Sequence, residues 1–497
     1  MKSTKTQGCF WRMITNGVLI IRKTQARLLA FAGVKHYLLA SDNEDAMTQT
    51  PNSLSDLTQH MLDAAKAAGA DQADAVAAQG TSVSIDVRNG ALEHAERSEG
   101  VDIGLRVFIG QRSAIVSGSD VRPDTIATMA ERAVAMAKEA PEDPYTGLAD
   151  ESELSQAHDT LNLEMADDTP EPTAAELEED ARCAEAAAMA VAGVTQMDAA
   201  AAGYSASDVF MATSNGFAGG VAYTGRSTSA VAIAGEGTGM ERDYDADTRI
   251  FQADLRSPEE IGAQAGARAV ERLNPQKPKT GSYPIIFDER ISSSLIGHLL
   301  AATNGAMIAR GSSWAKDLLG EQVLPNGLSL IEDPHRPRVN GSRAFDGEGL
   351  ATSKRVIVDN GVLTGWTLDL ASARKLGLQS TGNATRGVSS APSPSSWNVS
   401  LTQGQKTKQE LMRDMGRGLL ITSMIGSTIN PNTGDYSRGA SGFWIENGEI
   451  AYPVSELTVA GNLRDMLKRI VPANDARTHL SRVVPSLLIE GMTLAGS

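Results

Sequence analysis

Two cysteines, Cys9 and Cys183, are all that this chain of 497 residues carries. They exclude a disulfide framework and suit a reducing compartment. Aromatic residues are scarce at 4%, while Ala and Gly are abundant, so cores built from small side chains are expected. No apolar run reaches membrane-span length: Val18-Leu19-Ile20-Ile21 ends at Arg22 and Lys23. Nor is there the basic surface that a nucleic-acid backbone requires, because 45 Lys and Arg face 61 Asp and Glu, a net charge of −16. Histidine is sparse as well. His36, His60, His94, His158, His298, His335 and His479 never fall within one helical turn of each other, and none precedes Glu. A hydrolytic zinc helix needs two imidazoles on one face and a carboxylate to take the proton from bound water. The helix expected around residue 298 has one imidazole, which reads first as a hydrogen-bonded core residue.

Regular alternation is what the chain does have. Leu54, Leu57, Met61, Leu62 and Ala65 recur at helical spacing, and residues 123–139 repeat that pattern before Pro141. Period-two segments lie between them at 75–79, 83–88, 101–109 and 113–117. Asn89-Gly90 joins two of these as a hairpin turn. A second unit has an Ala/Glu helix over 174–192, strands at 195–202, 209–213, 219–223 and 227–234, a turn at Asn215-Gly216, and a helix over 258–273. Residues 141–172 are rich in Asp, Glu and Pro and read as a linker or mobile loop. From residue 280 strand and turn signals dominate, apart from the helix holding His298 and a last helix at 463–470. Asn360-Gly361 and Asn447-Gly448 mark hairpins there; the tail from Arg477 onward receives no assignment.

The fold class is therefore α+β. N-terminal mixed sheet-and-helix units are followed by a predominantly antiparallel β-sandwich or barrel-like C-terminal domain. The expected divisions are a basic extension (1–46), an α+β domain (47–140), an acidic linker (141–172), a central α+β domain (173–276) and a β-rich domain (280–497). The extension carries +4 and has neither the apolar run nor the cleavage site of a signal peptide. We expect it to lie upstream of a natural start near Met47.

Three apparent motifs carry little chemistry. Gly235-Glu236-Gly237-Thr238-Gly239 lacks the last glycine of a dinucleotide loop. Ser441 sits in a hairpin rather than at a strand-to-helix elbow. Asp346 and Glu348 could act as an acid/base pair, but an acidic turn with solvated charges is the simpler reading. The best remaining constellation is Asn432-Thr433-Gly434-Asp435-Tyr436-Ser437-Arg438-Gly439, read as a glycine-rich loop. Its Arg438 can grip a carboxylate bidentately, either Asp435 as an internal pair or the C-terminus of a bound peptide. The internal pair is preferred.

The run GDYSRGASGFWIENGEI, with LTVAGNL after it, resembles the C-terminal signature of the TldD/PmbA family in its PmbA (TldE-like) branch. Matching strings precede it in order: Gly311-Ser312-Ser313, Gly320-Glu321-Gln322-Val323, Phe345-Asp346-Gly347-Glu348-Gly349, Asp359-Asn360-Gly361-Val362-Leu363 and Leu378-Gln379-Ser380-Thr381-Gly382-Asn383-Ala384. They cover most of residues 282–463, with a looser echo over 47–280. The resemblance implies a cytosolic system of two homologous subunits that degrades unstructured peptides. One subunit carries a His-Glu-x-x-x-His zinc helix and a C-terminal thiolate; the PmbA-like subunit lacks that helix motif. This chain matches the second, since its last cysteine is Cys183.

The expectation is no catalytic residue and no metal ligand in this chain, with zinc held by a TldD-like partner. Peptide- or partner-contacting positions are expected at Asp435, Tyr436, Ser437, Arg438, Ser380, Thr381 and Asn383. A homodimer is the alternative when the partner is missing. The alternative function is a self-sufficient hydrolase or stand-alone peptide-binding protein, using Asp435, Arg438, Glu348 or His298 without metal. The family has also been described as modulating DNA gyrase, but an acidic chain argues against direct DNA contact. Neither a nucleic-acid nor a membrane partner is expected, and the location is cytoplasmic.

Overall fold

A computed structural model describes residues 53–156 and 161–496, so the basic extension lies outside it. Helix α1 (Leu54–Ala67) buries Leu57, Met61, Leu62 and Ala65, the apolar stripe visible in the sequence. Strands β1 (Gln72–Arg88), β2 (Ala91–Ile109) and β3 (Arg112–Gly118) form an antiparallel meander. Asn89 and Gly90 both take positive φ in its first turn, as a tight hairpin demands. Helix α2 (Pro123–Glu139) starts on proline, whose fixed φ suits the first helical position. Helix α3 (Ala174–Met189), strands β4 (Val194–Thr213), β5 (Ala218–Ala234) and β6 (Glu241–Arg249), and helix α4 (Pro258–Glu271) follow.

The two N-terminal units share a single antiparallel sheet, ordered β3-β2-β1-β4-β5-β6. β1 and β4 join them, from Asp74 opposite Thr213 to Val87 opposite Ala200. Small residues let the layers approach closely. A Cβ on Gly262 of α4 would stand 2.0 Å from the Ala184 carbonyl of α3. Beneath lies an alanine-rich core of Ala188, Ala200, Ala230, Ala232 and Ala265. The described part of the acidic segment is no loose loop. Leu148, Ala149, Leu154, Leu163 and Met165 are buried, and Arg374 donates to the carbonyls of Tyr145, Gly147 and Leu148.

The C-terminal half opens with β7 (Gly281–Phe287), α5 (Glu289–Ala302) and α6 (Gly305–Ala309). Short strands β8 (Leu330–Glu332), β9 (Arg355–Asp359) and β10 (Val362–Leu363) precede α7 (Leu370–Leu376). After them come β11 (Ala384–Thr385), β12 (Ser393–Pro394), β13 (Val399–Leu401) and α8 (Lys408–Met415). Long strands β14 (Gly418–Ile429), β15 (Asp435–Glu446) and β16 (Glu449–Asn462) lead into α9 (Leu463–Leu467). The chain then ends through β17 (Val471–Pro472), β18 (Arg482–Val483) and β19 (Leu487–Ala495).

Five of these strands, in the order β16-β15-β14-β7-β19, close into a barrel because β19 pairs back onto β16 at Thr458–Ala460. Every neighbour is antiparallel except β7 with β14. Asn447 and Gly448 supply the positive φ of the β15–β16 turn. Ile285, Phe287, Leu419, Ile421, Tyr436 and Trp444 pack with Leu295, Ile296 and Leu299 of α5 in one core. α8 covers the opposite face of the strands, over Ile286, Leu420 and Phe443.

A polar seam ties the sheet to the barrel domain. Asp74 of β1 is buried and accepts from Arg106 of β2 and from Arg386 of the C-terminal domain. Burial alone would raise its pKa, but the two guanidiniums outweigh burial and hold the carboxyl below its ordinary range. A Cβ on Gly104 would stand 1.9 Å from the Val388 carbonyl, so that loop lies flat on β2. The acidic turn read as solvated is instead buried beside this seam. Asp346 accepts from the backbone N–H groups of Glu348, Leu350 and Ala384, and Glu348 accepts from Leu370. Their role is to hold the turn. Burial pushes both carboxyls up, and the Asp346 charge pushes Glu348 further.

Two outcomes follow from the seam. Asp74→Ala leaves two buried guanidiniums without their shared carboxylate and should cost about 3–5 kcal/mol, read as a lowered denaturation midpoint; an unchanged midpoint contradicts the clamp. A raised carboxyl pKa means the folded chain holds its proton more tightly than the unfolded chain, so this contribution to stability falls as pH climbs above about 4.3 through the folded-state value. Glu348→Gln keeps an acceptor for Leu370 and should flatten the loss of Tm between pH 5 and pH 8. Parallel Tm curves for the two proteins would refute that assignment.

Candidate functional site

The site is built where α5 meets β15. Asp288 caps α5 by accepting from the Arg290 N–H, which fixes where the helix starts behind β7. Leu295, Ile296 and Leu299 then point into the barrel core, and His298 follows on the same side of the helix toward β15. Its ring stands edge-on to Tyr436, with centroids 5.9 Å apart and planes at 71°. Among the described residues, neither His298 Nε2 nor Ser294 Oγ, one turn earlier, has a hydrogen-bond partner, although both atoms are buried. Burial, then the charges of Arg438 and Arg482, pull the imidazole pKa down to about 4, so the ring is neutral near pH 7.

Residues 435–438 lie on strand β15, not in a loop; the turn ends at Gly434. Side chains alternate along a strand. Tyr436 and Ala440 are both buried in the core shared with α5, so Arg438 between them faces the same way. Asp435 and Ser437 face the other side. This is why the preferred Asp435–Arg438 pair does not form: three residues apart on a strand, the two point to opposite faces. Asp435 accepts from Thr433 Oγ1 at 2.6 Å and Asn462 Nδ2 at 3.0 Å, and those bonds lower its pKa. Arg438 Nε donates to the Gly426 carbonyl at 2.7 Å. Burial pushes the Tyr436 phenol up to about 12, against the pull of Arg438, and its hydroxyl donates to Met424 sulfur.

Ser380, Thr381 and Asn383 stand elsewhere. Ser380 Oγ and Thr381 Oγ1 both donate to the Leu368 carbonyl, and Thr381 also accepts from the Leu368 N–H. Buried Asn383 donates to Glu332 and to the Ser395 carbonyl. Among the described residues no hydrogen bond, ion pair or ring contact joins these three to residues 435–438. Ser441 Oγ accepts from Arg272 at 2.8 Å, a structural use. Arg482 is the member that sequence reasoning missed. It arrives from β18, in the tail that gave no periodic signal, and its Nη1 lies 2.9 Å from where a Cβ on Gly297 would stand.

Does this donor set fit a hydrolytic zinc ion? With His298 taken as the last residue of a His-Glu-x-x-x-His pattern, positions 293 and 294 are serines. One imidazole and two hydroxyls flanked by two guanidiniums do not fit a dication that needs three or four nitrogen, sulfur or carboxylate ligands. Among the described residues no group of three or more His, Cys, Asp or Glu is arranged to hold a metal ion. Cys183 lies on α3 of the N-terminal layer, where burial first, then Glu179, raises its thiol pKa. No helix among the described residues is long and apolar enough to cross a membrane.

Comparison with known proteins agrees with this architecture. Three family models match in order: PmbA/TldA metallopeptidase domain 1 over residues 73–137, the central domain over 167–273 and the C-terminal domain over 280–496. Metalloprotease PmbA of Escherichia coli O157:H7 is 36% identical over 430 residues, covering 86% of this chain and 92% of that protein. A proposed modulator of DNA gyrase from Bacteroides thetaiotaomicron superposes with a TM-score of 0.80 at 26% identity, covering 89% of this chain and 98% of the other. TldE of Thermococcus kodakarensis shares the fold, with a TM-score of 0.77 at 20% identity and coverage of 88% and 100%. In ordered domains, in barrel architecture and in sequence, the chain belongs to the PmbA/TldD metallopeptidase family.

Proposed function

We propose that this chain is the subunit of a PmbA/TldD-type peptidase that carries no zinc of its own. It works with a zinc-bearing, TldD-like homologue in the cytoplasm to degrade unstructured peptides. One observation carries the reading: α5 presents a single neutral imidazole, His298, with Ser293 and Ser294 in place of a second imidazole and a carboxylate, and guanidiniums beside it. A donor set of one imidazole and two hydroxyls beside guanidiniums does not suit zinc, which supports a role in binding the peptide rather than in activating water. The same face can still bind. Its role is to help enclose the peptide, because an enclosed site admits extended chains and excludes folded ones. The 36% identity to metalloprotease PmbA over most of both chains supports the assignment to this branch.

The test is reconstitution. The purified chain alone should leave an unstructured peptide intact, and turnover should appear only when a TldD-like protein with the His-Glu-x-x-x-His helix is added. Hydrolysis by the chain alone that survives chelator supports the self-sufficient hydrolase instead. Arg438→Ala should lower turnover of the reconstituted complex about tenfold or weaken its assembly, since loss of one charge-assisted contact has that magnitude. Unchanged turnover and association in that variant would remove β15 from the peptide path.

A further inference from the structure

The face of β15 that packs on α5 passes from apolar side chains into charge. Arg438 lies between Tyr436 and Ala440 on that face, and Arg482 crosses from β18 to Gly297, the residue before His298. The guanidinium of Arg482 lies directly against Gly297, with Nη1 2.9 Å from where a Cβ would stand. Arg106, Arg290, Arg355 and Arg386 each sit on a carboxylate. Arg438 and Arg482 differ: among the described residues neither makes an ion pair, and Arg438 bonds only uncharged groups, donating Nε to the Gly426 carbonyl and reaching the Tyr436 hydroxyl. Other arginines without an ion pair among the described residues, such as Arg374 and Arg464, spend their N–H groups on backbone carbonyls, whereas Arg438 and Arg482 both bring their charge to His298. Beside them, His298 Nε2 and Ser294 Oγ are buried polar atoms without protein partners, which is costly unless something else bonds to them. His298 is neutral near pH 7, so it adds hydrogen-bonding capacity rather than a third positive charge.

From this cluster we infer that Arg438 and Arg482 form a carboxylate-binding site for the free C-terminus of an extended peptide, with His298 and Ser294 supplying adjoining hydrogen bonds. A guanidinium fork matches the two oxygens of a planar carboxylate, and two such forks fix its orientation. The inference rests on the peptide-binding subunit reading: an unstructured peptide always presents a terminus but does not always carry an acidic side chain. No bond is made or broken at this site; it positions the substrate.

The experiment measures fluorescence anisotropy of an N-terminally rhodamine-labelled, unstructured decapeptide lacking Asp and Glu, as the free acid and as the C-terminal amide. A third arm is the amide with one internal Glu. Each is titrated with the purified chain and with its complex with the zinc-bearing partner. The free acid should bind about tenfold more tightly than either amide. Arg438→Ala and Arg482→Ala should each abolish most of that preference, with Arg438→Lys and Arg482→Lys keeping part of it and guarding against misfolding. Equal affinity of acid and amide, or a preference that survives both alanine substitutions, overturns the site. Binding of the Glu-containing amide as tight as the acid overturns the terminal assignment. If the chain assembles with its partner and supports turnover yet shows no acid preference, this inference falls and the subunit reading stands. An acid preference by a chain that never assembles does the reverse.

Discussion

Closure of the barrel decides which side chains meet α5. β19 forms hydrogen-bonded ladders with both β7 and β16, and so completes a ring that would otherwise be an open, twisted sheet with two bare edges. Once the ring is closed, strand alternation leaves no freedom. Tyr436, Arg438 and Ala440 must face the helix while Asp435 and Ser437 face away. A one-residue slip in β15 would send Arg438 outward and bring Asp435 and Ser437 inward, inverting the charge beside His298. The chemistry of the site is thus a consequence of strand register more than of any local motif.

The N-terminal sheet supports the same helix from the other side. Arg290, in the first turn of α5, pairs at 3.0 Å with Asp243 of β6, and Asp74 reaches Arg386 in the barrel domain. These contacts are buried, so they are felt mainly when one partner is lost. Close approach of Gly104 to Val388 and of Gly262 to Ala184 explains why a chain poor in aromatics still packs well. Small side chains bring backbone layers together, and ion pairs set their alignment.

Much of this architecture was readable from residues alone. The helix read at 123–139 from its apolar spacing and the stop at Pro141 forms over Pro123–Glu139, and the one read at 258–273 forms over Pro258–Glu271. The Asn-Gly turns at 89, 360 and 447 sit where positive φ is required. Three features stayed hidden for physical reasons. Strand β6 buries Asp243, Asp245 and Asp247 against Arg256, Arg268 and Arg272, so its inward face is polar and inverts the usual hydrophobic alternation. β19 gains its meaning from partners that lie far earlier in the chain, which no local window reveals. The glycines around 434–439 suggested a loop, whereas they permit close strand pairing: a Cβ on Gly439 would stand 2.5 Å from the Ile425 side chain. That single misreading created the Asp435–Arg438 pair and concealed the face on which Arg438 meets His298.

The whole account turns on the donors that α5 and its neighbours present. A tightly bound zinc ion requires three or four converging ligands, and this face offers one imidazole among guanidiniums. Isothermal titration of the purified, metal-stripped chain with zinc, followed by elemental analysis after gel filtration, measures this directly. The expected result is no stoichiometric uptake and no retained zinc. One tightly held zinc ion per chain, lost on His298→Ala, would contradict the assignment of this protein as the subunit without a metal centre.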